Sequence, residues 1–312
     1  MKAFVAALSL LPGLALAQMP DFSKTQMKES LAAGNVHMLV GEGGNIAVSV
    51  GPEGVLMVDD QFAPLAPKIN AAIDKLSKGK IQYLLNTHWH FDHTGGNPVF
   101  GKEGRIVAQD AVRTRLAAGQ SMLGMQIAPA AKEALPVITY DNAMSLFFNG
   151  EEIRLTHYPA AHTDGDSTVY FTGSNVLHTG DLLVVDQFPF FDMESGGSVE
   201  GYIRAQEQIL KTLPAGVKII PGHGPMTDRD GLERAHAMIV ETVALVRAKR
   251  DAGKTLEQVK AEGIPEKYTN WGNGFVKTEM YLTELYKGIA PTAKAPATPP
   301  AAPAPATPPA KK

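Results

Sequence analysis

The sequence predicts an α+β fold built on two β-sheets. Three observations carry that prediction. Short apolar runs, punctuated by Gly, Asn, Pro and Glu, gather in two groups along the 312-residue chain. Each group is followed by segments with helical periodicity. Histidines and aspartates recur in glycine-rich turns where the apolar runs end.

In the first half, "VHMLVG", "NIAVSVG" and "VLMVDD" read as strands of a meander. "APKINAAIDKLSKG" reads as a helix, with Ile69, Ile73 and Leu76 on one face and Gly79 as a stop. "IQYLLN" is a strand, and "THWHFDHTGG" leaves its C-terminal end as a loop. In the second half, "EEIRLTHYPA", "STVYFTG" and "NVLHTGD" read as strands. "SVEGYIRAQEQILKTL" reads as a helix capped by Ser198, with Val199, Tyr202, Ile203, Ile209, Leu210 and Leu213 as its apolar stripe. "VKIIPGHG" is a buried strand ending in a loop. Helices follow over "DGLERAHAMIVETVALVRAKRDAG", over "TLEQVKAEG" with a Thr255/Gln258 capping box, and over "FVKTEMYLTELYKG". No sequence repeat relates the two halves.

Both ends differ from this body. "MKAFVAALSLLPGLALAQ" has a charged start, an apolar run and a small-x-small site ending at Ala17, so residues 1–17 read as a secretory signal peptide. The mature protein is then expected to be secreted, or periplasmic in a Gram-negative cell. Residues 291–312 alternate Ala and Pro, which cannot build a core, and read as a disordered tail. A catalytic domain is assigned to residues 18–290. The charge of −3, with no basic stripe, gives no sign of nucleic acid as a partner. No later run is long enough to span a membrane. The chain has no cysteine, which removes disulfides and thiolate chemistry together.

Three of the nine histidines fall within "HWHFDH", residues 88–93. His88 and His90 are two apart on extended chain, so their rings point the same way. Asp92 and His93 follow as the chain turns. Imidazole and carboxylate without thiol suit Zn²⁺, and also Fe or Mn. Four such ligands are too many for one catalytic ion with an open position and too few for two. Three more candidates stand at strand ends downstream: His162, Asp181 and His223. His37, His157, His178 and His236 are assigned no role.

This ordered set resembles the metallo-β-lactamase-fold hydrolase superfamily over nearly all of residues 30–290. The resemblance implies a four-layer αββα sandwich and a metal-dependent hydrolase. It implies one metal held by His88, His90 and His162, a second by Asp92, His93 and His223, and Asp181 bridging the two. Asp59, rather than its neighbour Asp60, would orient a ligand histidine through its far ring nitrogen. Two dications sharing a water bring its pKa from 15.7 towards about 7, giving a hydroxide nucleophile at neutral pH. Asp92 would also orient that nucleophile or carry a proton, the one catalytic role assigned beyond ligation.

The substrate is expected to be a small molecule with an ester, lactone, thioester or amide carbonyl. The bridging aspartate resembles the glyoxalase II set rather than dedicated β-lactamases. Cysteine-free β-lactamase activity, a phosphodiesterase and a diiron redox protein on the same fold are the alternatives; His90 stands where the diiron group has Glu. Trp89, Phe188, Phe190, Phe191 and Trp271 are the candidate apolar pocket, with Phe275 and residues 122–130 as further wall. Oligomeric state is not legible in the sequence.

Overall fold

The computed structural model describes residues 21–290. The expected signal peptide at 1–17 and the tail at 291–312 lie outside the described residues.

The described chain runs through β1 (Lys28–Ala33), β2 (Val36–Val40), β3 (Ile46–Gly51), β4 (Gly54–Val58), α1 (Ala66–Leu76), β5 (Ile81–Leu85), α2 (Phe91–Thr94), α3 (Asn97–Phe100), β6 (Arg105–Gln109) and α4 (Asp110–Ala118). A hairpin of β7 (Gln120–Met122) and β8 (Met125–Ile127) and then β9 (Ile138–Tyr140) complete the first half. The second half has β10 (Ala143–Phe148), β11 (Glu151–His157), β12 (Ser167–Phe171), β13 (Val176–His178), α5 (Val199–Thr212), β14 (Lys218–Ile220), α6 (Arg229–Asp251), α7 (Leu256–Glu262) and α8 (Thr278–Gly288).

One sheet has the order β1-β2-β3-β4-β5-β6-β9 and the other β10-β11-β12-β13-β14. The two pack face to face, and the period-two alternation of their strands builds the layers. In β4, Leu56 and Val58 join a core shared with Ile153, Val169 and Phe171 of the second sheet. Their alternates Val55 and Met57 point the other way, against Ile69 and Ile73 of α1. In β13 and β14, Val176 and Ile220 face the inter-sheet core, while Leu177 and Ile219 face Ile209 of α5 and Leu232 of α6. Each such aliphatic side chain stabilises the fold by roughly 1.5–3 kcal/mol on burial. The result is the expected αββα sandwich.

The parallel pairs β4/β5 and β13/β14 position the candidate site. Asp59 follows β4, His88 follows β5, Asp181 follows β13 and His223 follows β14, so all four leave the C-terminal ends of parallel strands. Such ends collect ligand-binding loops in α/β sheets. β12 runs antiparallel to β13, so the turn before it delivers His162 to the same edge.

Several stretches differ from the sequence reading, including Phe91–Thr94, which forms the turn α2 rather than open loop. Lys28–Ala33 forms an edge strand mostly exposed to solvent, with no alternation to betray it. Residues 97–150, where the sequence reading assigns no element, hold two strands of the first sheet, the edge strand β10 of the second, α4 and the small hairpin. The last helix starts at Thr278 rather than Phe275, because Lys277 adopts an extended conformation at the cap. Phe275 and Val276 are thereby left in a loop.

Candidate metal centre

His88 lies past β5, and His90 is the extended residue that caps α2 (φ −59°, ψ 144°). The single turn of α2 then aims Asp92 and His93 back at the same volume. His88, His90, His93 and His162 are buried, His223 and Asp92 partly so. Ligand-type atoms of His88, His90 and His162 lie within 4.8 Å of one another, as do those of His88, His93 and Asp181, and of Asp92, His93 and His223. All seven residues singled out in the sequence thus meet at one sheet edge.

Close approach of backbone makes this meeting feasible. A side chain at Gly44 would strike the His93 ring, and one at Gly222 would strike Asp181 Oδ1. Asn45 ties the two halves together here. Its amide donates to the carbonyls of Pro221 and Gly224, each at 2.9 Å, and its own carbonyl sits 3.0 Å from His178 Nε2. His178 Nδ1 in turn accepts from the Gly180 N–H. His178 therefore has a positioning part beside Asp181, although no local pattern in the sequence marks it.

The outer partners of the rings fix which nitrogen carries the proton. His162 Nδ1 donates to the Phe190 carbonyl at 2.7 Å, so its Nε2 keeps a lone pair. His90 Nε2 donates to Asp192 Oδ2 at 2.9 Å, leaving Nδ1 free. His93 Nδ1 donates to Asp59 Oδ2 at 2.7 Å. Thr87 Oγ1 spends its proton on Asp59 Oδ2, so it accepts from His88 Nδ1 at 3.0 Å. His88 Nε2 is then buried without any hydrogen-bond partner.

When neutral, His88, His90, His93 and His162 present acceptor nitrogens inward, and these face one another, His223 and the carboxylates. His162 Nε2 and His90 Nδ1 are 2.9 Å apart, and His93 Nε2 and His223 Nε2 3.3 Å. Asp181 turns Oδ2 to His162 Nε2 at 3.5 Å, and Oδ1 to His93 Nε2 at 3.2 Å and His223 Nε2 at 3.4 Å. Asp92 Oδ2 is 3.2 Å from His223 Nε2 and 3.6 Å from His93 Nε2. Buried lone pairs converging on lone pairs call for positive charge between them. The residues present fit divalent cations.

The electrostatics divide the cluster. Burial, reinforced by the neighbouring His93, holds His88 well below the ordinary histidine range. Burial also lowers His90, against the pull of Asp192. Burial opposes charge on His93 and His223 too, but there Asp181 and Asp92 outweigh it; His93 is raised and His223 reaches about 10. Burial alone would raise Asp92 and Asp181, yet the charges of His93 and His223 hold both below the usual carboxylate range.

The neighbours Asp59 and Asp60 have different surroundings. Asp59 receives the Thr87 N–H and hydroxyl as well as His93, which compensates its left-handed backbone (φ 62°). Asp60 points away and accepts from the Gly96 N–H at 2.8 Å. Burial raises its pKa well above normal, as befits a neutral acid.

A cavity of about 410 Å³ opens over the cluster. Phe188, Phe190 and Phe275 line it as expected from sequence, and Met122 represents the 122–130 segment. Three expected wall residues stand elsewhere. Trp89, 1% exposed, packs beneath the cluster against Ala108 and Val112. Phe191 enters the helical core against Tyr202 and Tyr281. Trp271 packs on Tyr268 and Phe188, behind the wall rather than in it. Alternation explains Phe191: neighbours in an extended Phe-rich loop face opposite ways. Sequence reasoning missed Asp192, the Phe190 carbonyl, Phe62, Phe91, Gln187 and Glu42. None carries a local signal; Asp192 lies 102 positions from the histidine it orients.

The family model of the metallo-beta-lactamase superfamily matches residues 33–223. The chain is 26% identical over 205 residues to the lactamase-like protein nscB of Trichophyton verrucosum (strain HKI 0517), covering 62% of this chain and 58% of that protein. It is 28% identical over 148 residues to a hydroxyacylglutathione hydrolase of Pelagibacter ubique (strain HTCC1062), covering 46% and 52%. The chain thus spans a little over half the length of these relatives. Among solved structures, the inverting sec-alkylsulfatase Pisa1 from Pseudomonas sp. superimposes with a TM-score of 0.63 at 14% identity, over 84% of this chain and half of that one, a likeness of fold.

Proposed function

Since the chain belongs to the metallo-beta-lactamase superfamily, we propose that it is a metal-dependent hydrolase that holds two divalent cations, zinc foremost, and cleaves an ester, lactone, thioester or amide. One observation carries this reading. Four histidines have their tautomers fixed by outer partners so that their free lone pairs converge with two carboxylates. His88, His90 and His162 would hold one ion and Asp92, His93 and His223 the other, with Asp181 shared between them. When bound, the pair would polarise a carbonyl oxygen and lower the pKa of a water towards about 7.

The chain's own groups do the rest. Asp192, Asp59 and the Phe190 carbonyl keep the rings oriented, so little reorganisation accompanies the reaction. Asp92 borders both the cluster and the cavity, where it orients the attacking water and carries its proton. The aromatic wall excludes bulk water and strengthens each electrostatic contact. The N-terminal reading adds that the enzyme is exported; intact mass of the mature chain from its native host, expected to start at Gln18, checks this.

The decisive experiment pairs metal analysis with a panel of chromogenic esters, lactones, β-lactams, thioesters, phosphodiesters and sulfates on zinc-loaded protein. Two zinc ions per chain and chelator-sensitive cleavage of carbonyl substrates are expected. Cleavage that survives chelation, or preferential cleavage of phosphodiesters or sulfates, would overturn the proposal. Two irons instead of zinc would favour the redox alternative.

A further inference from the structure

The cavity wall facing the cluster is partly built by chain that lies beyond residues 33–223, the stretch that matches the family model. Phe275 and Val276, in the loop before α8, line the cavity together with Phe188, Phe190, Phe62 and Phe91. The C-terminal segment is fastened to the loop that orients the histidines. The Phe188 ring stacks on Tyr281, with centroids 4.2 Å apart and planes 8° apart. The Phe188 N–H donates to the Trp271 carbonyl at 3.2 Å, and the Phe191 N–H to Glu284 Oε2 at 3.3 Å. The wall therefore has a fixed position relative to the cluster.

Two features define what the space accepts. Phe275 is 70% exposed although it lines the cavity, so much of its ring has no partner within the chain. A solvated aromatic at a cavity mouth marks a place where an apolar group gains by settling. Among the described residues no lysine or arginine lines the cavity, and its one ionisable lining residue outside the cluster is Glu42. An anionic group lying away from the cluster would lose its water and find a like charge instead of a partner.

Resting on the hydrolase reading, we propose that the substrate is a carbonyl compound with an uncharged hydrocarbon arm, seated between Phe275 and Phe190, and that Phe275 is the residue that selects for this arm. The scissile carbonyl lies at the cluster and the arm runs out along the wall. Substrates with a second anionic group on the arm are rejected.

Methyl alkyl ketones from butanone to decanone share the carbonyl and the arm but cannot be hydrolysed. Calorimetric titration of the zinc-loaded protein is expected to show affinity rising about fourfold per added methylene until the cavity fills. Phe275→Ala is expected to weaken the longest ketone roughly tenfold and leave the shortest unchanged. The exposure of Phe275 means that folding should survive, which circular dichroism checks. A keto acid of the same length with a terminal carboxylate is expected to bind at least about tenfold more weakly. Affinity indifferent to chain length, an unaffected Phe275→Ala variant, or equal binding of the keto acid overturns the inference. p-Nitrophenyl esters of matching length, assayed in parallel, separate the two readings. Ketone binding that follows the pattern without cleavage of any ester, lactone, thioester or amide upholds the selective cavity and removes the hydrolase. Ester cleavage that ignores chain length, with flat ketone affinity, does the reverse.

Discussion

The two halves of the candidate metal centre are built on opposite electrostatic plans. His88, His90 and His162 form an all-imidazole, deeply buried group, in which burial holds His88 and His90 uncharged. His93 and His223 share their half with Asp92 and Asp181, and those carboxylates raise the pKa of both imidazoles. The outer partners follow the same division only in part: Asp192 faces His90 and Asp59 faces His93, while His162 relies on a backbone carbonyl. The difference teaches that similar ligands can be prepared for a cation in two ways. One half offers neutral lone pairs at a cost in burial; the other offers negative charge. Asp181 touches both, with Oδ2 towards His162 and Oδ1 towards His93 and His223.

Asp181→Ala should therefore have the largest effect, because it removes the contact common to both halves. Loss of hydrolysis well beyond the roughly 10–100-fold typical of an outer hydrogen-bond partner is expected, with a folded chain by circular dichroism and fewer than two metals by mass spectrometry. A fully active, purified, metal-analysed variant would remove Asp181 from the centre. His90→Ala is expected to abolish hydrolysis as well, while sparing metal in the other half.

Asp192→Asn and Asp59→Asn sharpen the comparison further. Each keeps an acceptor but loses the charge behind one ring. Asp192→Asn should weaken metal at its own half by about tenfold, the low end for such partners, and leave the other half unchanged in competitive chelator titrations; Asp59→Asn should weaken the His93 half by as much and the His88 half less, through Thr87. Equal weakening of both ions by either variant would mean that the halves do not act separately.

The smallest effect is in stability, and it has opposite signs in the two halves. His88 and His90 have folded pKa values below their unfolded value of about 6.5. Their contribution is present above that pH and is lost as pH falls. His223 has a folded value of about 10, above its unfolded value. Its contribution is full below about pH 6.5 and is lost as pH rises through about 10. Thermal melts of chelator-treated protein should thus lose stability as pH rises from about 6.5 towards about 10, and His223→Gln should reduce that alkaline loss. An unchanged alkaline limb in that variant would contradict the electrostatic division of the two halves.

Much of this centre was legible before any fold was known. Four ligand-type side chains in six positions, and three more in Gly-rich turns at the ends of apolar runs, are local patterns, and the structure gathers all seven. The meander, the long amphipathic helices and the Ser198 and Thr255 caps were legible for the same reason, since each depends on neighbours a few positions away. The exposed edge strand β1 was not, because a strand without a buried face has no alternation to read.

Local pattern carries the chemistry on offer: imidazole and carboxylate without thiol, placed at strand ends of a two-sheet fold. Only the tertiary structure decided which atoms face which. Asp192 reaches His90 across 102 positions, and the Phe190 carbonyl that orients His162 has no side-chain signature at all. The same holds for the cavity. Trp89 and Phe191 are as apolar as Phe190 and Phe275, and the direction each side chain takes depends on how sheets and helices pack over long sequence separations. Composition supplies the groups; packing alone turns them towards or away from the centre.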